Sequence, residues 1–184
     1  MTFKPLQKLY TEKAIPELKK ALKRENVMSL PRIEKVVVNV GMGRVRKEKA
    51  LIQQIEHDIT NITGQKPAPT KSRQSIAGFG LRQGEVVGMR VTLRGKRMYD
   101  FLDRLIHIAL PRTRDFRGIK PETLDQQGNL SIGIAEQIAF PEVTQEKSDK
   151  IFGFQVVITT SAKTKEEGMA LFRALQFPIQ TKTT

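Results

Sequence analysis

The chain has 184 residues with no cysteine and no tryptophan. It carries 32 Lys and Arg against 19 Asp and Glu, a formal net charge of +13. Zero cysteine excludes a disulfide frame, a zinc knuckle and a thiol nucleophile. The start lacks the pattern of a signal peptide or a transit peptide, and no apolar run is long enough to span a bilayer. The charge points to a polyanion partner, nucleic acid before an anionic membrane surface, in a soluble intracellular protein.

Hydrophobic residues make up 39% and aromatics only 6%, so the core is expected to be built from Ile, Leu and Val. A single domain over 1–184 is expected, since the length suits one core and no linker interrupts the chain. The charge is uneven. Residues 1–118 hold 25 Lys and Arg against 11 Asp and Glu, while residues 119–184 hold 7 against 8. The polyanion therefore belongs to the first two thirds.

From Leu6 to Asn26, the residues Leu6, Leu9, Tyr10, Leu18 and Leu22 recur at helical spacing. Pro16 is expected to break this helix or to begin a second one. Lys19, Lys20, Lys23 and Arg24 form a basic flank that suits phosphate contact. Ile33–Val40 reads as a buried strand ending in Gly41-Met42-Gly43. Lys49–Thr63 is a helix with Leu51, Ile52, Ile55, Ile59 and Ile62 on one stripe, stopped by Gly64.

Residues 65–84 read as a short strand and a long loop, followed by a clear strand at Val86–Leu93. Met98, Phe101, Leu102, Leu105 and Ala109 define a further helix ended by Pro111. Thr113–Gly128 reads as a loop, Leu130–Ala135 and Phe152–Thr160 as strands. Lys165–Gln176 is a helix with Met169, Phe172 and Leu175 inward, stopped before Pro178. Strands adjacent in sequence predict an α+β two-layer design: a largely antiparallel sheet, helices packed on one face, and an open basic face.

Strand alternation assigns that face. Val36, Val38 and Val40 share one side of the first strand, opposite Lys35, Val37, Asn39 and Gly41. In Val86–Arg94 the apolar set is Val87, Met89, Val91 and Leu93, and the outer set is Gly88, Arg90, Thr92 and Arg94. Arg offers forked donors to phosphate, Asn and Thr can bond 2′-hydroxyls, and glycine lets a sugar-phosphate backbone come close. Without aromatic pairs on these strands, a folded RNA read by shape fits better than stacked single strand. The loop Thr70–Arg82 combines Lys71, Arg73 and Arg82 with Ile76, Phe79 and Leu81. Phe79 is either an exposed tip for a second RNA or folded back on the core.

No enzyme is expected. Gly41-Met42-Gly43 lacks the third glycine of a dinucleotide loop, with Arg46 in its place, and neither GxxxxGK nor GxSxG occurs. His57 and His107 stand without a second ligand at metal spacing, so no metal or cofactor is expected.

The run Ile59-Thr-Asn-Ile-Thr-Gly-Gln-Lys-Pro-Ala-Pro-Thr-Lys-Ser-Arg-Gln-Ser75 resembles the signature of the universal large-subunit ribosomal protein five family, in its bacterial and plastid branch. Similar blocks are Ile33–Gly43, Gly64–Gly95, Pro111–Gly118, Asn129–Val143 and Ala162–Pro178. The resemblance implies a ribosomal location, in the cytoplasm or a plastid stroma. It implies docking of 5S rRNA in the central protuberance through the sheet face. Asn39, Gln65, Thr92 and Arg94 stand at matching positions, with Gly41, Gly43, Arg90 and the flank Lys19, Lys20, Lys23 and Arg24 expected to help.

The loop bearing Lys71, Arg73, Ser75, Phe79 and Arg82 is similar to the one that reaches peptidyl-site tRNA. Pro111–Gly118, with Arg112, Arg114 and Arg117, resembles a contact to the large rRNA. Ala135–Thr144 resembles a bridge to a small-subunit head protein. Two departures stand out: Gly80 where a basic residue is expected, and Phe154-Gln155 in place of a more polar pair. Neither departure is expected to touch the 5S positions.

Overall fold

The structure is a computed structural model that describes residues 4–43, 45, 48–114, 116–143 and 150–180. It begins with α1 (Leu6–Leu9), which passes through a π-helical turn (Tyr10–Ala14) into α2 (Ile15–Leu22). Right-handed helical dihedrals persist through Leu9, Tyr10, Ala14 and Ile15, so Pro16 does not break the rod. A proline ring collides with the carbonyl four residues earlier in a regular α-helix. Here that residue, Glu12, lies in the wider π turn. The same device recurs where α4 (Gly95–Arg104) runs through a π turn (Leu105–Ala109) into α5 (Leu110–Arg112). Pro111 therefore sits inside the helix instead of ending it.

The first rod stops before Asn26. Lys23 adopts a left-handed conformation (φ 52°) that closes α2. Asn26 then caps a separate 3-10 turn, Val27–Ser29, by accepting from Met28 N. At the other end of the rod, the Asp103 carboxylate accepts from Leu6 N at 3.0 Å, covering an otherwise orphaned helix N-terminus. Burial pushes that carboxyl above its usual range, opposed by this hydrogen bond.

Five strands make one antiparallel sheet: β1 (Ile33–Gly41), β2 (Ala68–Lys71), β3 (Val86–Leu93), β4 (Leu130–Ile134) and β5 (Phe154–Thr160), in the order β2-β3-β1-β5-β4. Val36, Val38, Val40, Met89, Val91, Leu93, Val156 and Ile158 are buried from the central strands. They share one core with Ile55, Ile59 and Ile62 of α3 (Lys49–Thr63), Phe101 and Leu102 of α4, and Leu171 and Phe172 of α6 (Lys165–Ala174). This is the expected two-layer α+β fold. Phenylalanine matters more to it than its frequency suggests. Phe101, Phe140 and Phe172 are the largest fully buried side chains, and the Phe101 and Phe140 rings stack with centroids 5.8 Å apart.

Some boundaries differ from the sequence pattern. β5 begins at Phe154 instead of Phe152, because Phe152 N donates to the Gln137 side chain at 2.8 Å rather than to a strand. Ile33 is buried against the parity of β1, because a bulge between Ile33 and Lys35 reverses the alternation there. In α6 Leu171 joins Phe172 among the fully buried residues, and Met169 packs against the core half-buried. Its end comes at Ala174, with Gln176 left-handed (φ 58°) and Phe177 N returning to Phe172 O at 3.0 Å.

The turn before β4 is built on Asp125. Its carboxylate accepts from Gln127 N, Asn129 N and Asn129 Nδ2 at 2.7–2.9 Å. Burial works to raise its pKa, but these bonds together hold it below the usual carboxylate range. The stabilisation is thus present above the unfolded-state value and is lost as pH falls through the lowered folded value.

The same turn presses Gly128 on Gly168 of α6. A Cβ on Gly168 would lie 2.5 Å from Gly128 Cα, backbone against backbone. Gly168→Ala should destabilise the fold by roughly 1–3 kcal/mol or more, as overpacking does. Gly133→Ala, where a Cβ meets nothing within 4 Å, should leave the urea midpoint nearly unchanged. Equal midpoints for the two variants would contradict this packing.

Candidate nucleic-acid interface

The residues that alternate with the core side chains form rows across the sheet. The first row is Ala68, Arg90, Asn39, Gln155 and Gly133, each opposite the next in the strand register. All five are exposed. The neighbouring row, Thr92, Val37, Val157 and Ser131, is half-buried. Lys35 stands opposite Thr159. Arg94 lies just past β3, exposed, with Nη1 at 3.5 Å from Glu34 O.

The structure thus brings Asn39, Arg90 and Thr92 together, with Arg94 at the end of the same strand. It corrects one expectation: Gln155 lies directly opposite Asn39, so the Phe154-Gln155 departure does touch the row of 5S-matching positions. The alternation, read along β5 as it was along β1 and β3, would have placed Gln155 there.

The glycines divide into two kinds. Above Gly41 and Gly43 a Cβ would meet nothing within 4 Å, so both offer open space for close approach. Gly88 is different. A Cβ there would come within 2.7 Å of Val40 O, so the fold itself requires this glycine. Gln65 is half-buried in the turn from α3 to β2. Thr63 Oγ1 fastens this turn, donating to Gln65 O at 3.0 Å.

Of the N-terminal cations, Lys20 and Lys23 are exposed and Lys19 is half-buried. The four basic residues and Glu25 line one shallow concavity. Arg24 has internal work as well. Its guanidinium pairs with the largely buried Glu167 of α6 and donates to Ser29 O at 3.0 Å. Glu167 also accepts from Lys163 N at 3.0 Å.

After β2 the chain leaves the sheet as a narrow projection. Ser72 N donates to Glu85 O (2.8 Å), and Gly84 N donates to Ser72 O (3.0 Å). Ile76 and Leu81 pair antiparallel, and Gln83 N donates to Ser75 Oγ at 2.9 Å. The tip is a 3-10 turn, Ala77–Phe79, closed by Gly80 in a left-handed conformation (φ 56°). That conformation gives Gly80 a structural reason to stand where a basic residue was expected. No residue from 72 to 84 is buried, and Lys71, Arg73 and Arg82 are exposed. Phe79 is 73% exposed, so it is a tip and not a core residue.

Arg112, Arg114 and Arg117 are exposed on the segment after α5. Gln180 Nε2 donates to Arg117 O at 2.8 Å and ties this segment to the C-terminal stretch. Arg112 and Arg114 share a cleft of about 300 Å³ with Ala135, Glu136 and Ile138, so the expected rRNA and bridge segments adjoin. Gln137 anchors the second segment: fully buried, it donates to Lys150 O at 3.0 Å and accepts from Phe152 N. Thr144, the last residue of the bridge segment, and Arg46 lie outside the described residues. Among the described residues no helix is long and apolar enough to cross a membrane.

Comparison with known proteins gives a family match over most of the chain. The family described as "Ribosomal protein L5" matches residues 26–82, and the "ribosomal L5P family C-terminus" matches residues 86–179. The chain is 48% identical over 177 residues to the large ribosomal subunit protein uL5 of Colwellia psychrerythraea, covering 96% of this chain and 98% of that one. It is 48% identical over 178 residues to the protein of the same name from Nitrosococcus oceani, covering 97% and 98%. For the Syntrophomonas wolfei protein of that name the identity is 46% over 175 residues, covering 95% and 98%.

The geometry separates removable parts from structural ones. Replacing Ser72–Leu81 with a short Gly-Ser link should shift unfolding free energy by no more than about 0.5 kcal/mol, since nothing buried is lost. Arg24→Ala should cost about 1–2 kcal/mol. It leaves the Glu167 carboxylate without its cation, a penalty discounted because the Arg24 side chain is 38% exposed. Urea titration of both variants checks the pair; a destabilised loop deletion beside an unaffected Arg24→Ala would reverse the assignment.

Proposed function

This chain belongs to the ribosomal protein L5 family and is a structural, non-enzymatic constituent of the large ribosomal subunit, and from that premise we propose that it binds 5S rRNA through the outer face of its sheet and docks that RNA in the central protuberance. The observation that carries the reading is the exposed row Ala68, Arg90, Asn39, Gln155 and Gly133. It joins a forked cation, two amides and two small residues, with no aromatic side chain in the row for base stacking. A-form RNA presents 2′-hydroxyls and phosphates across a wide, shallow minor groove, and such a row meets it without insertion. The half-buried Val37 and Val157 give ribose an apolar seat beside the row. Arg94 and Lys35 supply further charge, making this the basic face of the sheet.

Three other surfaces have separate roles in this reading. The projection with Lys71, Arg73, Ser75, Phe79 and Arg82 contacts peptidyl-site tRNA. Phosphate charge and apolar packing carry no sequence information, as a contact with every tRNA in turn requires. Arg112, Arg114 and Arg117 contact the large rRNA. The adjoining Ala135–Thr144 segment meets a small-subunit head protein as an intersubunit bridge, consistent with the near-neutral charge of residues 119–184.

The experiment is a gel-shift titration of isolated 5S rRNA at several salt concentrations. With about six phosphates neutralised, log affinity should fall against log salt with a slope of about −4 to −5. Asn39→Ala and Arg94→Ala should each weaken binding by roughly 1–3 kcal/mol with the fold intact. The Ser72–Leu81 replacement should bind 5S rRNA normally and enter subunits, but hold peptidyl-site tRNA less firmly. Parental binding by both sheet variants, or a flat salt dependence, would contradict the proposal.

A further inference from the structure

Among the described residues, Met28 is the most exposed large apolar side chain, at 82%, and its neighbour Val27 is 41% exposed. Neither is on a loose loop. Asn26 Oδ1 accepts from Met28 N at 2.9 Å, and Asn26 O accepts from Ser29 N and Ser29 Oγ at 3.1 and 2.7 Å. Leu30 N closes the turn on Val27 O at 3.2 Å, and Leu30 and Pro31 are buried directly behind it. From the other side Arg24 acts as a strut, bonding Ser29 O while its guanidinium is held by Glu167 of α6. This turn holds an unbranched, polarisable side chain outward, where water solvates it poorly.

The surroundings say what the side chain meets. Lys20, Lys23 and Arg32 are exposed nearby in the chain, while Glu25 is the one carboxylate between Lys19 and Lys35 apart from Glu34. An apolar knob within a cationic field suits a polyanion that also carries apolar surface. Nucleic acid has both, with phosphates outside and ribose and base edges within the groove. The chain then runs through Arg32 into β1, whose Lys35 begins the outer face of the sheet.

We propose that Met28, flanked by Val27, is an apolar RNA contact of this protein: it packs on ribose and base edges in the minor groove of 5S rRNA while Lys20 and Lys23 bind the adjoining phosphates. The proposal rests on the 5S reading above and extends its surface around the N-terminal edge of the sheet. Apolar wedges are an established way for proteins to grip a minor groove. Arg24 is a positioning residue in this arrangement, holding the turn from behind.

Salt dependence separates the roles. In titrations of isolated 5S rRNA, Met28→Ala should weaken binding roughly five- to tenfold, less than the effect of burying a whole apolar side chain because alanine keeps its Cβ and a groove buries the rest only in part. The slope against log salt should stay unchanged, because no counterion is released at Met28. Met28→Gln, similar in length but polar, should weaken binding as well, and Met28→Leu should restore most of it. Lys20→Ala and Lys23→Ala should each reduce the slope by about 1. All variants should melt like the parent.

Parental affinity for Met28→Ala, with Asn39→Ala weakened, would overturn this contact and leave the sheet-face reading standing. Weakening by Met28→Ala with Asn39→Ala and Arg94→Ala unaffected would do the opposite. A Met28→Ala variant that binds 5S rRNA normally yet fails to enter subunits would assign the knob to a protein neighbour and overturn the proposal.

Discussion

The rest of the structure depends on β1 being paired along both edges while burying only one face. Its hydrogen bonds to β3 and β5 fix the register of the sheet, and Val36, Val38 and Val40 set which side the helices cover. Once those valines are buried, strand geometry forces Lys35, Val37 and Asn39 to the other side. A slip of one residue would put asparagine into the core and valine into solvent. The proposed RNA-binding row is therefore specified by the same packing that holds the protein together. Gly88 adds a local condition, since any side chain there would collide with the Val40 carbonyl.

Against this rigid sheet stand two devices stabilised by their own hydrogen bonds. The 72–85 projection closes on itself through Ser72, Ser75, Ile76 and Leu81, and contributes nothing buried. The Val27–Ser29 turn is closed by Asn26 and braced by Arg24. Both carry an apolar side chain outward, Phe79 in one and Met28 in the other. A self-supporting loop can change its tip without disturbing the core, and it can reach a partner that a flat sheet cannot. The parts proposed to contact different RNAs are thus mechanically separate.

Much of this was legible in the residues. Period-2 alternation identified the two faces of β1 and β3, and the 3.6-residue stripe of α3 marked its core side. Fold class followed from strands adjacent in sequence. Pro16 stands in the first turn of α2, as one of its two readings had it; Pro111 misled, because a π turn removes the steric conflict that normally ends a helix, and no local pattern announces such a turn. The bulge at Ile33 was hidden for the same reason. Arg24 read as one more surface cation. Its partner Glu167 is 143 residues away, and only the packing of α2 on α6 brings them together. The place of Phe79 was undecidable from sequence, since an aromatic residue in a loop serves equally as an anchor or a tip.

The central claim is that RNA lies on the outer face of the sheet and not on its helical side. The absence of cysteine makes a direct measurement simple, because one introduced thiol is the sole attachment point for an iron chelate. Tethered at Thr70, exposed at the β2 edge of the same face opposite Gly88 and outside the proposed contact row, the iron should generate hydroxyl radicals that cut bound 5S rRNA at a compact set of nucleotides. Tethered at the exposed Gln53 on α3, it should leave the same RNA largely uncut. Cleavage from Gln53 with none from Thr70 would place the RNA on the helices and contradict the account.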